Sequence, residues 1–324
     1  MLQRAIRAQE GLENFRVRIY SYRTFLTGSE AYLSETYLMN VSASVLPKSD
    51  HPEIECVDHL SLQDFRLKYL AAEQPVIIRG GALNWPAVKN WSPDYLKLRY
   101  GQHPVRARFL ARGTSSAVDG DQRPEKPRTL AQFVDIMRSQ PPDGLWYLVQ
   151  QPIAQLPRDL VRDFGELPYY SRKMQRFTGH EPYFWMGSAG AKTGLHYDLI
   201  HNFNVQITGR KSWRLYPRSQ QPLLYFGQGE YPHHSVMNIF EADLSQYPLL
   251  QQATPYEFVL DPGDILFFPA GWAHSVYCLE EGISVNMFSL WLRWDDIRIV
   301  LREAPPWIVK KLIQKSKSFV GMNS

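Results

Sequence analysis

Cysteine is almost missing from this chain: Cys56 and Cys278 are the two in 324 residues, and no C-x-x-C pair is formed. A disulfide scaffold and a cysteine-built structural zinc module are thereby excluded, and a reducing cytoplasm is the expected location. Long apolar runs are missing too. Nothing approaches the roughly 20 apolar residues of a membrane-spanning helix, and the N-terminus carries no signal-peptide core. Glu10 and Glu13 count against a transit peptide. A large charge of one sign is also absent, the formal net charge being +4. Nucleic-acid binders concentrate their basic residues, whereas Lys and Arg are scattered here. The exceptions are Arg4, Arg7, Arg16, Arg18 and Arg23 at one end and Lys310, Lys311, Lys315 and Lys317 at the other. Both runs read as solvated helix faces, which leaves nucleic acid a weakly supported partner. No G-x-S-x-G elbow, phosphate-binding glycine loop or internal repeat is present.

What the chain does have is aromatic weight, with 18 Tyr, 16 Phe and 9 Trp, and aromatics favour strands. Ser61 is placed to cap a helix, with Leu60 before it and Phe65 four positions on as a hydrophobic staple. Val76-Ile77-Ile78 reads as a buried strand. Ser92-Pro93 opens a second helix, Thr129 and Gln132 form a capping box for a third over 130–139, and 145–149 is a strand. From residue 183 the pattern becomes short strands, near 183–187, 194–199, 203–208, 212–216, 256–260, 264–268, 273–279 and 283–291. The turns Gly209-Arg210-Lys211 and Asp261-Pro262-Gly263-Asp264 separate them. Many short strands at this spacing predict a mainly β jelly roll or barrel. Four regions follow: a variable segment 1–52, a flank of helices and strands 53–182, the barrel 183–295 and a helical tail 296–324. In the tail, Ile308, Leu312 and Ile313 form an apolar stripe suited to docking or to a homodimer contact.

The most informative stretch is Gly194-Leu195-His196-Tyr197-Asp198. Residues two apart on a strand share a face, so His196 and Asp198 can present an imidazole and a carboxylate side by side. His274, after the Pro269-Ala270-Gly271 turn, is the best third ligand. Two neutral imidazoles and one carboxylate on one face leave three positions open, which suits non-haem iron(II). The other histidines compete poorly. His201 is five positions from His196 and falls on the opposite face of a continuous strand. His233 and His234 follow Tyr231-Pro232 in a loop, where solvated side chains are expected.

The run Thr193-Gly194-Leu195-His196-Tyr197-Asp198, with Asn202 and Gln206-Ile207-Thr208-Gly209-Arg210-Lys211, resembles the JmjC and cupin-like oxygenase family. So does Asp261-Pro262-Gly263-Asp264-Ile265-Leu266-Phe267-Phe268-Pro269, followed by Trp272, His274 and Ser284-Val285-Asn286. The resemblance covers roughly 60–295. It implies a double-stranded β-helix with flanking helices, an iron(II) held by His196, Asp198 and His274, and 2-oxoglutarate and dioxygen as co-substrates. It implies further that Lys211 pairs with the distal carboxylate of 2-oxoglutarate, a charge-assisted contact. Thr193 and Tyr147 match hydroxyls bonding that carboxylate, and Asn202 and Asn286 match asparagines near the metal and the other carboxylate. No catalytic side chain beyond the metal ligands is implied. Read without the resemblance, Lys211 is an exposed turn lysine and the other four are core hydrogen-bonding residues. Asn204 and Phe288 depart from the asparagine-hydroxylating branch, which has an aromatic residue and a tryptophan there. The implied reaction is hydroxylation of a C–H bond in a peptide or protein side chain or in a small biosynthetic molecule. The alternatives are a cupin with another metal chemistry and a barrel that binds without catalysing.

Overall fold

Local signals in the first half of the chain fold largely as their residue types dictate. In the computed structural model, the residues described are 52–111, 126–139, 142–170, 182–227 and 231–289. The segment 1–51 and the tail with Ile308, Leu312 and Ile313 lie outside them. The Ser61 hydroxyl accepts from Asp64 N at 2.9 Å, as a cap should. The helix it opens is α over Leu62–Asp64 and then widens to a π-helix over Phe65–Leu70, with Ala71 N donating to Arg66 O. Sequence periodicity did not anticipate that widening. Helix α1 (Pro93–Tyr100) starts on Ser92, whose hydroxyl accepts from Tyr95 N at 3.0 Å. Helix α2 (Leu130–Ser139) starts on the reciprocal Thr129–Gln132 box, with bonds of 3.0 and 3.2 Å.

The strands are β1 (Cys56–Val57), β2 (Val76–Ile78), β3 (Pro104–Ala111), β4 (Lys126–Thr129), β5 (Gly144–Pro152), β6 (Tyr183–Gly187) and β7 (Lys192–Tyr197). They continue as β8 (His201–Thr208), β9 (Lys211–Tyr216), β10 (Tyr256–Leu260), β11 (Ile265–Phe268), β12 (Ala273–Cys278) and β13 (Gly282–Ser289). One sheet has the order β1-β2-β11-β8-β13-β6-β5-β3-β4 and the other β10-β9-β12-β7. Eight strands, β6 to β13, are thus shared four and four between two sheets, with antiparallel pairing throughout. This is the double-stranded β-helix. Strands β3 and β4, which extend the larger sheet, were not expected from the sequence.

Two features fix the ends of the barrel strands. Gly209 turns the chain from β8 in one sheet to β9 in the other at φ +69, and a Cβ there would lie 2.3 Å from the Glu281 carbonyl oxygen. The Asp261–Asp264 turn closes around the buried Asp264 carboxylate, which accepts from Gly80 N and Asp261 N at 2.9 and 3.0 Å and pairs with Arg79. That motif is therefore structural. Outside the larger sheet, Phe65, Tyr169, Phe203 and Phe267 pack as a ring cluster with centroids 4.8 to 6.2 Å apart. Between the sheets, Leu215, Leu266, Phe268 and Trp272 make a smaller apolar plug. No helix among the described residues is long and apolar enough to cross a membrane.

Candidate metal centre

Strand pairing brings the metal-site histidines together before any side chain is considered: His196 on β7 and His274 on β12 are directly opposed. Their rings lie 4.2 Å apart. Strand β7 ends at Tyr197, so Asp198 sits just beyond it rather than two positions along a continuing strand. Its carboxylate is brought into place by Asn202, whose Nδ2 donates to Asp198 Oδ2 at 2.8 Å. Gly271 N donates to the Asp198 carbonyl at 2.8 Å, tying it to the turn that precedes His274. One donor atom from each of the three residues can be chosen so that all lie within 4.8 Å of one another.

Hydrogen bonding settles which ring nitrogens are available. His196 Nδ1 lies 2.9 Å from the Gly194 carbonyl and His274 Nδ1 lies 3.2 Å from the Trp272 carbonyl. A carbonyl only accepts, so both Nδ1 atoms carry the proton and both Nε2 lone pairs are left for a metal. Burial pushes both imidazole pKa values down to about 4, helped at His196 by the neighbouring His274. Both rings are therefore neutral, as ligation requires. Two imidazole nitrogens and one carboxylate oxygen fit a divalent transition metal with open positions.

The eight residues singled out in the sequence all line one cavity. Lys211 begins β9 and is buried, not an exposed turn residue. Its Nζ donates to Ser284 Oγ at 2.6 Å and lies 3.5 Å from the Tyr147 hydroxyl. No carboxylate pairs with it among the described residues, and burial lowers its pKa. A buried ammonium without a counter-charge is costly, so this end of the cavity is built for an anion. Tyr147 approaches across Gly187, where an added Cβ would meet its ring at 2.6 Å. Burial raises its phenol pKa well above the ordinary value, and likewise that of the adjacent Cys278 thiol. Thr193 is buried on β7, and Asn286 accepts from Trp185 Nε1 at 2.7 Å.

Register arranges these side chains in rows. On the smaller sheet, His274 opposes Leu215, Val276 opposes Trp213 and Cys278 opposes Lys211. On the larger, Phe288 opposes Asn202, Asn286 opposes Asn204 and Ser284 opposes Gln206. The candidate metal donors thus occupy one row and Lys211 another, four residues or roughly 13 Å away along the strand.

Sequence reasoning did not single out Ser284, Trp185 or Trp213, which also line the cavity. Ser284 and Trp213 each stand two positions from a chosen residue, Asn286 and Lys211, so strand alternation could have found them. His201 stays out of the metal group, but because it starts a new strand, where its Nδ1 accepts from Ala270 N at 3.1 Å. His233 and His234 are not the solvated loop residues expected. They are half-buried beside β7, Tyr197 N donating to the His233 carbonyl at 3.1 Å, with the His234 ring 5.6 Å from His196. That adjacency comes from a tertiary bridge between His196 and His234, which no local pattern announces.

Comparison with known proteins matches a family model described as a cupin-like domain over residues 62–290. Lysine-specific demethylase 8 of Danio rerio is 31% identical over 250 residues, covering 75% of this chain and 59% of that protein. The Xenopus tropicalis protein of the same name is 28% identical over 243 residues, 73% of this chain and 52% of its own length. This chain therefore spans little more than half of those relatives. Similarity to tRNA wybutosine-synthesizing protein 5 of Homo sapiens is 28% over 261 residues, 74% of this chain and 78% of that one. The human bifunctional peptidase and (3S)-lysyl hydroxylase JMJD7 is 27% identical over 267 residues, 74% and 82% of the two chains.

Proposed function

Because this chain belongs to the cupin-like family of JmjC-type 2-oxoglutarate oxygenases, we propose that it is an iron(II)- and 2-oxoglutarate-dependent dioxygenase that hydroxylates a C–H bond. The observation that carries this reading is the pairing of two features in one cavity: three convergent candidate metal donors and a buried lysine with no carboxylate partner among the described residues.

In this reading His196, Asp198 and His274 hold the iron, and Asn202 fixes the Asp198 carboxylate in its ligating orientation. Lys211, with Ser284, Tyr147 and Thr193 around it, binds the distal carboxylate of 2-oxoglutarate. Asn286, oriented by Trp185, lies on the side of the other carboxylate. When bound, iron(II) supplies activation of dioxygen coupled to oxidative decarboxylation of 2-oxoglutarate to succinate and carbon dioxide. The protein supplies orientation and exclusion of water. Trp213, Phe268 and the apolar plug close the floor beside His274, while half-buried His233 and His234 border the metal row. No protein nucleophile or proton shuttle is required.

A peptide or protein side chain is the substrate we favour, in line with the lysyl hydroxylase name of one relative. A small biosynthetic molecule is the alternative. The relatives' names span demethylation, tRNA modification and lysyl hydroxylation, so none of their substrates transfers by similarity alone. The test is incubation with iron(II), 2-oxoglutarate and peptide or metabolite pools. Succinate release and a one-oxygen mass gain, both lost in Asp198→Ala, are expected. Substrate binding without 2-oxoglutarate consumption would identify a barrel that binds without catalysing.

A further inference from the structure

Between the metal row and the Lys211 row lies a middle row of which the proposed function uses only Asn286 for polar contact with the co-substrate. It is made by Asn204 and Asn286 on the larger sheet and by Trp213 and Val276 on the smaller. Asn204 is 6% exposed and its Oδ1 has no hydrogen-bond partner among the described residues. Trp213 is 3% exposed, stacks on His274 with centroids 5.9 Å apart, and its Nε1 is likewise without a partner. Buried polar atoms are almost always paired, and leaving one unpaired costs its full desolvation. Packing does not require either polar group, since phenylalanine would fill much of the Trp213 site and leucine repeats the branched four-heavy-atom shape of asparagine.

We propose that Asn204 and Trp213 are positioning residues that hold the metal-side carboxylate of the co-substrate, a proposal that rests on the 2-oxoglutarate reading. An indole N–H can only donate, so the ligand atom beside Trp213 must be an acceptor. A carboxamide offers donor and acceptor on one pivot and can turn its NH2 toward the same atom. Asn286, its Oδ1 engaged by Trp185 Nε1, keeps its NH2 as a third donor. Three neutral donors in the row next to the metal suit one end of a dicarboxylate whose other end is taken by Lys211. Neutral donors also avoid placing a second cation beside the metal.

The experiment is calorimetric titration of 2-oxoglutarate into the full chain loaded with manganese(II), a redox-silent probe, together with direct measurement of manganese affinity. Trp213→Phe keeps an aromatic ring and removes the N–H; Asn204→Leu keeps the branched shape and removes the amide. Each should weaken 2-oxoglutarate binding about ten-fold or more, with manganese affinity unchanged and no loss of melting temperature. Asn204→Asp, which sets a carboxylate against a carboxylate, should weaken it further. Lys211→Met serves as the reference for the distal end and should lose binding. If Lys211→Met loses binding while Trp213→Phe and Asn204→Leu bind as the parent does, the positioning role is overturned and the co-substrate reading stands. Losses that merely track lowered melting temperature and manganese affinity overturn it as well. If the parent itself does not bind 2-oxoglutarate, the co-substrate reading fails and this proposal falls with it.

Discussion

Strand β8 carries Phe203, Val205 and Ile207 on one face and Asn202, Asn204 and Gln206 on the other, and all six are at most 6% exposed. The outer face is apolar and finished: Phe203 packs against Phe65 and Phe267 at 5.6 and 5.0 Å, and nothing there awaits a partner. The inner face is polar and unfinished. Asn202 uses its Nδ2 on Asp198 and Gln206 uses its Nε2 on the Thr208 and Gly209 carbonyls, yet Oδ1 of Asn202 and Asn204 and Oε1 of Gln206 have no partner among the described residues. Equal burial thus means two different things. The outer face supplies folding free energy through area removed from water. The inner face forgoes some stability by leaving these atoms unpaired within the protein and keeps its hydrogen-bonding capacity for a ligand, a balance common at functional sites.

That contrast can be broken from either side. The largest effect is expected at the inner face's metal row: Asp198→Ala should abolish 2-oxoglutarate turnover with little change in melting temperature. Asn202→Ala, which removes the bond orienting Asp198 together with the unpartnered amide oxygen, should cost about 10–100-fold in metal affinity, read by competition with a chelating dye. The outer face should answer in stability instead. Phe203→Ala is expected to destabilise the fold by about 3–5 kcal/mol, measured by denaturant unfolding. Metal affinity extrapolated to the folded fraction should stay unchanged.

A smaller effect sharpens the comparison through pH. Burial lowers the Lys211 pKa below its usual 10.5, and the ammonium is the form that binds an anion. Affinity for 2-oxoglutarate should therefore be full below the lowered pKa and be lost as pH rises through it, in a window below 10.5. Titration calorimetry across alkaline pH checks the direction, with manganese affinity measured at each pH to separate any effect at the metal row. The smallest effect is a gain. In the metal-free protein Asn204→Leu removes an unpaired buried amide and should raise stability by about 1 kcal/mol, seen as a higher melting temperature.

The same contrast explains what the sequence could reveal. Cap and turn chemistry is local, so Ser61, Ser92 and the Thr129–Gln132 box stood out and formed as expected. The barrel was legible from many short strands and the turns between them, and the candidate metal residues from the unusual company of His196, Asp198 and a distant His274. Lys211 illustrates the limit. Its local sequence is a turn, and only the β8–β9 crossover between sheets and its burial against Ser284 and Tyr147 give it the surroundings proposed for an anion anchor. His233 and His234 reach the metal row through a tertiary bridge to β7. The π-turn at Phe65–Leu70 keeps a helical pattern of apolar residues while changing the bonding, so periodicity was blind to it. The middle row of Asn204 and Trp213 becomes visible only once register sets both strands across one cavity.

The central claim is that one cavity holds a metal at His196, Asp198 and His274 and a 2-oxo acid stretched from that metal to Lys211. It is tested most directly by titrating the metal-free protein with iron(II) and 2-oxoglutarate under anaerobic conditions and recording the visible spectrum. The account predicts a weak charge-transfer band that needs both additions, vanishes in Asp198→Ala, and in Lys211→Ala appears only at much higher 2-oxoglutarate. Measured iron binding with no such band at any 2-oxoglutarate concentration would contradict it.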